Sequence, residues 1–180
     1  MKMKVKYSDL KNKRVFITGG GSGIGASIVE HFCEQGSEVY FIDIDLEETK
    51  KLLNKIKKNK FRNPTFIECN LLDIGKLENT IKNIIAKKGP IHALINNAAN
   101  DDRHTTDQVD EKYWENRMAI NLKHYFFAAK AVVKSMKKMK AGSIVNLSSV
   151  SWMLGEGDKV VYETAKSAVV GLTRSLHKNT

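Results

Sequence analysis

Residues 14–25 read RVFITGGGSGIG. The run Arg14 to Thr18 is rich in β-branched and aromatic side chains, the composition of a buried strand. Behind Thr18, the glycines at Gly19, Gly23 and Gly25 leave a turn without side chains where the backbone has to come close to a partner. The turn opens a helix, from about Gly23 to Gln35 and closed by Gly36. Free N–H groups and the positive end of a helix dipole then face the same point, which is what a phosphate requires. A glycine-rich turn alone is weak evidence, but between a strand and a helix it points to a dinucleotide pyrophosphate. Thr18, Gly19, Ser22, Gly23, Ile24 and Gly25 are the expected contacts.

Outward from this stretch, short β-branched runs alternate with long amphipathic ones. Glu38 to Ile42 (EVYFI) is the second strand, followed by a lysine-rich helix from about Glu47 to Lys58. Thr65 to Glu68 is the third, and Asp73 caps a helix that runs to about Lys88 before Gly89-Pro90. Ile91 to Ile95 is the fourth strand, Tyr113 to Lys138 a long helix, Ser143 to Leu147 the fifth strand, and Val160 to His177 the last helix. Strands joined through helices are parallel with right-handed crossovers. The expectation is an α/β fold, a doubly wound parallel sheet of Rossmann type in one domain over residues 1–180, with ligands at the carboxyl ends of the strands.

Composition narrows the class. At 180 residues, 42% hydrophobic and 28% charged, the chain is long enough for a core and too apolar for disorder. No apolar run reaches the roughly 18 residues of a membrane span, and the basic N-terminus lacks an apolar signal segment. Cys33 and Cys69 stand 36 positions apart with no metal-ligand spacing, so buried thiols in a reducing cytoplasm are expected and a metal site is not. The net charge of +10 would permit nucleic-acid binding, but only five of the 30 basic residues are arginine. The lysines fall in helical runs such as KKLLNKIKKNK that read as solvated faces, without a nucleic-acid motif beside them.

Asp43 ends the second strand, 18 residues past Gly25. A carboxylate there can accept both hydroxyls of an adenosine ribose and repels a 2′-phosphate, favouring NAD over NADP; Asp45 is a nearby alternative, and a helix cap is the structural reading of Asp43. Further along stands YETAK, with Tyr162 and Lys166 four apart on one helix face. A tyrosine of ordinary pKa near 10 is a poor base at neutral pH, and an adjacent ammonium favours the phenolate. Such a pair is common and gains weight from Ser149, 13 residues before Tyr162, and from Asn121 on the preceding helix.

With TGGGSGIG, Asp43, NNAA at Asn96 to Ala99, Asn121, the LSS ending in Ser149, and YETAK, the chain resembles the short-chain dehydrogenase/reductase family. The resemblance implies a catalytic set of Asn121, Ser149, Tyr162 and Lys166: Tyr162 exchanging a proton with the substrate oxygen, Ser149 holding that oxygen, Lys166 tuning Tyr162 and binding ribose, and Asn121 holding a water in a proton relay. It adds Asn97 and Ala98 to the cofactor contacts, with Asn70 and Leu71 where the family usually has an Asp against adenine. NNAA in place of NNAG adds one methyl beside the cofactor.

NNAANDDRH, WENRMAINLKHYFF and LSSVSWMLGEGDKVVYETAK are similar to the NAD-dependent aldose 1-dehydrogenases of that family, which act on sugars such as D-xylose, with L-rhamnose and L-arabinose enzymes as neighbours. The implied reaction oxidises a cyclic sugar at its anomeric carbon to a lactone. Asn100, Asp101, Asp102, Arg103 and His104 would bond sugar hydroxyls and Trp152 would offer a flat face; an internally paired loop is the structural alternative for DDRH. Another alcohol dehydrogenase or ketoreductase acting on an acyl or steroid-like substrate, or a non-catalytic NAD-binding fragment, are the alternatives. The family implies a homodimer or homotetramer. Its usual chain continues through two more strands and a substrate loop, so the fold is expected to be C-terminally truncated relative to the family.

Overall fold

The computed structural model describes residues 5–179; positions 1–4 of the basic N-terminal stretch and Thr180 lie outside the described residues. Five strands form one sheet: β1 (Arg14–Thr18), β2 (Glu38–Asp43), β3 (Thr65–Glu68), β4 (Ala93–Asn96) and β5 (Ser143–Asn146). Their spatial order is β3-β2-β1-β4-β5, and every pairing is parallel. Chain order reverses direction between β1 and β4, and in open parallel sheets ligands bind at the carboxyl ends of the strands beside such a point.

Seven helices cover the sheet: α1 (Gly23–Glu34), α2 (Leu46–Lys58), α3 (Ile74–Lys88), α4 (Glu111–Met118), α5 (His124–Met139), α6 (Ser151–Leu154) and α7 (Val160–Asn179). Alternate residues of a strand point to opposite faces, and both faces are apolar. Val15, Ile17, Val39 and Phe41 pack against Val29 and Cys33 of α1 and Leu52 and Ile56 of α2. Phe16, Tyr40, Ile42 and Leu94 pack against Leu77 and Ile81 of α3 and Ala128, Ala129 and Val132 of α5. Two covered faces explain why the strands read as continuous apolar runs. β3 and β5 are the edge strands; β5 is bonded to β4 on one side, with alternate residues exposed.

The doubly wound parallel sheet expected from the sequence is the one observed, with strand ends shifted by a residue or two. Two local features differ. The single helix expected over Tyr113 to Lys138 starts at Glu111 and carries a π-helical segment, Ala119–Lys123, between α4 and α5. Such a segment accommodates one extra residue in the helical ladder and turns the side chains beyond it relative to those before. The stretch after β5, to which the sequence reading assigns no element, contains the one-turn helix α6, ended by Gly155 in the left-handed region.

Candidate active site

The glycine loop is held from below and open above. The N–H groups of Gly19 and Gly20 donate to the Ile42 carbonyl at 2.9 and 3.1 Å, tying the loop to β2. A Cβ on Gly25 would stand 1.8 Å from the Gly19 carbonyl oxygen, and one on Gly19 would stand 2.7 Å from Ala98 Cα, so these two glycines serve close packing of the loop on α1 and β4. Gly23 differs: its φ is +52° and a Cβ there would meet nothing within 4 Å. Ser22, the N-cap of α1, makes no capping bond with its side chain, so the hydroxyl is uncommitted at the N-terminus of α1. Ser22, Gly23 and Ile24 are all exposed around this cradle. Open space, glycine backbone and an unspent helix end fit a pyrophosphate.

Asp43 ends β2 beside the loop. Its Oδ2 accepts from the Gly21 N–H at 2.7 Å, and its Oδ1 from the N–H groups of Ile44 and Asp45 at 2.7 and 3.0 Å. Those bonds take three of the about four acceptor positions of a carboxylate, leaving one where the sequence reading had two ribose hydroxyls accepted. Asp45 is committed to the α2 N-cap, accepting from the Glu48 N–H. Asn70, past β3, is exposed, with its side-chain oxygen accepting from the Leu72 N–H, while Leu71 belongs to the core. Thr18 and Asn97 lash β1 to β4. Thr18 Oγ1 accepts from the Asn97 and Ala98 N–H groups, and Asn97 Nδ2 donates to the Thr18 and Gly19 carbonyls. Their side chains support the loop; Ala98 packs on Gly19, and Ala99 is exposed.

Tyr162 and Lys166 lie one turn apart on α7. Lys166 is 1% exposed, and its Nζ sits 5.6 Å from the centroid of the half-buried Tyr162 ring. The ammonium donates to Tyr125 Oη at 2.8 Å and to the Leu147 carbonyl at 2.7 Å. Burial lowers the lysine from 10.5 to about 8, with the negative charge of Asp101 opposing the fall. Ser149, two residues beyond Leu147, shares a hydroxyl–hydroxyl hydrogen bond of 2.9 Å with Ser151 and accepts from the Ser151 N–H. Asn121, in the π segment and fully buried, engages both ends of its amide with one residue: Oδ1 accepts from the Asn100 N–H at 2.8 Å and Nδ2 donates to the Asn100 carbonyl at 2.9 Å. It braces the loop after β4.

The DDRH loop is largely paired within the protein, as its structural alternative had it. Arg103 pairs with Asp158, Asp102 with Arg117, and the Asn100 side-chain oxygen accepts from the Asp102 N–H. The substrate role expected of Asn100, Asp102 and Arg103 therefore competes with intramolecular partners already in place. Asp101 is exposed and close enough to act on Lys166. Trp152 is half-buried on α6.

Two participants, Tyr125 and Ser151, escaped the sequence reading, and His104, expected among the sugar-bonding groups, is buried and engaged within the protein. Tyr125, inside the apolar-looking HYFF, bonds Lys166; its position four after Asn121 was the available signal. Ser151 bonds Ser149, and the alternating serines of SSVS marked it. His104 is buried, its N–H donating to the Asp158 carbonyl at 2.7 Å and its Nε2 accepting from the Val161 N–H at 3.4 Å, so it caps the first turn of α7 from another loop.

Three comparisons bear on this geometry. A family model described as short chain dehydrogenase matches residues 13–180. The D-xylose 1-dehydrogenase of Caulobacter vibrioides is 43% identical over 170 residues, covering 94% of this chain and 66% of that protein. A 3-oxoacyl-[acyl-carrier-protein] reductase of Buchnera aphidicola is 32% identical, covering 93% of this chain and 67% of its own length. Among solved structures, the aldohexose dehydrogenase of Thermoplasma acidophilum superposes with a TM-score of 0.84 at 29% identity, over 97% of this chain and 64% of that one. The chain thus spans about two thirds of the length of the relatives it matches. With the glycine cradle, the parallel sheet and the family match over all but its first twelve residues, this chain belongs to the short-chain dehydrogenase family.

Proposed function

We propose that the chain is an NAD-dependent oxidoreductase that oxidises an aldose such as D-xylose at its anomeric carbon to the lactone. The observation that carries the reading is the pairing of Tyr162 with the buried Lys166 ammonium, 5.6 Å from its ring and bonded to the Leu147 carbonyl just past the carboxyl end of β5, the end of the sheet at which the glycine cradle follows β1. A bound nicotinamide supplies the acceptor for the hydride that leaves the anomeric carbon. Tyr162 Oη takes the proton of the anomeric hydroxyl, so that C1–H and O–H are lost together and a C1=O bond forms. Ser149 Oγ, held by Ser151, fixes the substrate oxygen against Tyr162. Lys166 favours the phenolate by its charge and reaches a ribose hydroxyl, and Asn121 keeps the loop around Asn100 in place.

Thr18, Gly19, Ser22, Gly23, Ile24, Gly25, Asn97 and Ala98 form or support the cofactor site, with Asn70 and Leu71 at the adenine end. Asp43 favours NAD through its remaining acceptor and its charge. The polar Asn100–Arg103 loop and Trp152 suit a hydroxylated ring better than an acyl chain. The similarity to a D-xylose 1-dehydrogenase supports the sugar. Trp114 and Phe126, 40% and 44% exposed on α4 and α5, favour a homodimer or homotetramer through those helices. Buried free thiols at Cys33 and Cys69 suit a reducing cytoplasm.

The test is a panel of aldoses and of 3-oxoacyl and steroid-like substrates, with NAD and with NADP, read by absorbance of the reduced cofactor. NADH from a pentose or hexose is expected. Turnover confined to the acyl or steroid substrates would contradict the sugar, and cofactor binding without turnover would contradict an enzyme.

A further inference from the structure

We propose that Tyr125 is a positioning residue for Lys166: this second tyrosine holds the ammonium protonated and aimed toward Tyr162. The inference rests on the reading of Tyr162 and Lys166 as the reacting pair. Tyr125 is fully buried on α5 and Lys166 nearly so on α7. Tyr125 Oη accepts from Lys166 Nζ at 2.8 Å while its own hydrogen goes to the Leu147 carbonyl at 3.0 Å, and that carbonyl also accepts from Nζ at 2.7 Å. The three groups close a ring of hydrogen bonds joining α5, α7 and the end of β5. An ammonium has three hydrogens; two are fixed by this ring, and one remains. The Nζ lies between the two rings, 5.1 Å from the Tyr125 centroid and 5.6 Å from that of Tyr162.

The charged and titratable groups facing Lys166 are few: Tyr125 and His124 from α5, Tyr162 from its own helix, and Asp101 from the loop after β4. His124 is held neutral by burial, and Asp101 acts from a distance. Among the described residues, Tyr125 is the one side chain bonded to the ammonium. Removing water disfavours the charged amine, and an acceptor bonded to it opposes that loss. Tyr125 owes its place to the π segment immediately before it. Without the extra residue, the helix beyond would turn by about 100° and carry the hydroxyl away from Lys166.

Tyr125→Phe keeps the ring and removes the acceptor. In the 180-residue chain labelled with 13C at lysine Cε, the Lys166 resonance is identified by its loss in Lys166→Met, and its titration is followed by NMR. The midpoint is expected to fall by about one pH unit in Tyr125→Phe. NADH affinity, read by fluorescence, should be equal for the two proteins at pH 6 and about fivefold weaker for the variant at pH 8. An unmoved midpoint overturns the proposal, and so does an unmoved midpoint accompanied by weakening that is uniform with pH, the mark of a merely structural role. The NMR midpoint needs neither sugar nor turnover, so failure of the aldose reading is separately visible as the absence of NADH formation by the wild type.

Discussion

A lysine withdrawn from water needs acceptors, and Lys166 has two, Tyr125 Oη and the Leu147 carbonyl, with Tyr162 beside it. Tyr162→Phe deletes the group that takes the proton and leaves the ring and the lysine. Turnover should fall by at least about 100-fold, within the usual range of a general base, while NAD affinity by calorimetry stays within about twofold. Asp43 carries a second prediction. Asp43→Ala removes both the charge near a 2′-phosphate and the anchor of the Gly21 N–H, so the ratio of kcat/KM for NAD over NADP should drop about tenfold or more, equivalent to about 1.4 kcal/mol. An unchanged ratio, measured with both cofactors, would move cofactor choice elsewhere. Tyr162, Lys166, Ser149 and Asp43 were legible as residues because their spacings to strand ends carry the information. The commitments of Asp102 and Arg103 were not, because their partners Arg117 and Asp158 lie 15 and 55 positions away.

At the scale of elements, the strands and helices follow from periodicity and caps. Asp73 accepts from the Lys76 N–H at the start of α3 as its position foretold, and Gly89 ends that helix. The π segment Ala119–Lys123 was invisible, since one extra residue in a long helix barely disturbs an apolar stripe. Its consequence is large: it places Asn121 against the Asn100 backbone and Tyr125 against Lys166. Asn121→Ala would leave the Asn100 N–H and carbonyl without that partner in a half-buried place. The expected cost is about 2 to 3 kcal/mol, read as a lower urea midpoint at unchanged m-value. α6 escaped the reading for a different reason. A four-residue helix has too few positions to show a period.

For the molecule as a whole, acid stability follows from the seam between β1 and α5. His124 is fully buried there, its Nε2 3.3 Å from Thr18 Oγ1, and burial lowers it from 6.5 to about 3. Between those values the unfolded chain binds a proton that the native chain does not, so stability is present above pH 6.5 and drains away as pH falls toward 3. The loss attributable to this residue is on the order of 3 to 5 kcal/mol. Urea unfolding at a series of pH values should show this slope in the wild type and a flatter one in His124→Gln. In the parallel sheet the glycine cradle follows β1, Asp43 ends β2, and Lys166 bonds the carbonyl just past β5, all at the carboxyl ends of the strands; the proposed oxidation of an aldose at its anomeric carbon rests on that arrangement. The most direct measurement is the reaction of D-xylose deuterated at C1 with NAD, followed by mass spectrometry of the cofactor. Reduced cofactor heavier by one mass unit, formed by the wild type and absent with Tyr162→Phe, is the predicted result; no reduced cofactor, or cofactor reduced without deuterium, would contradict it.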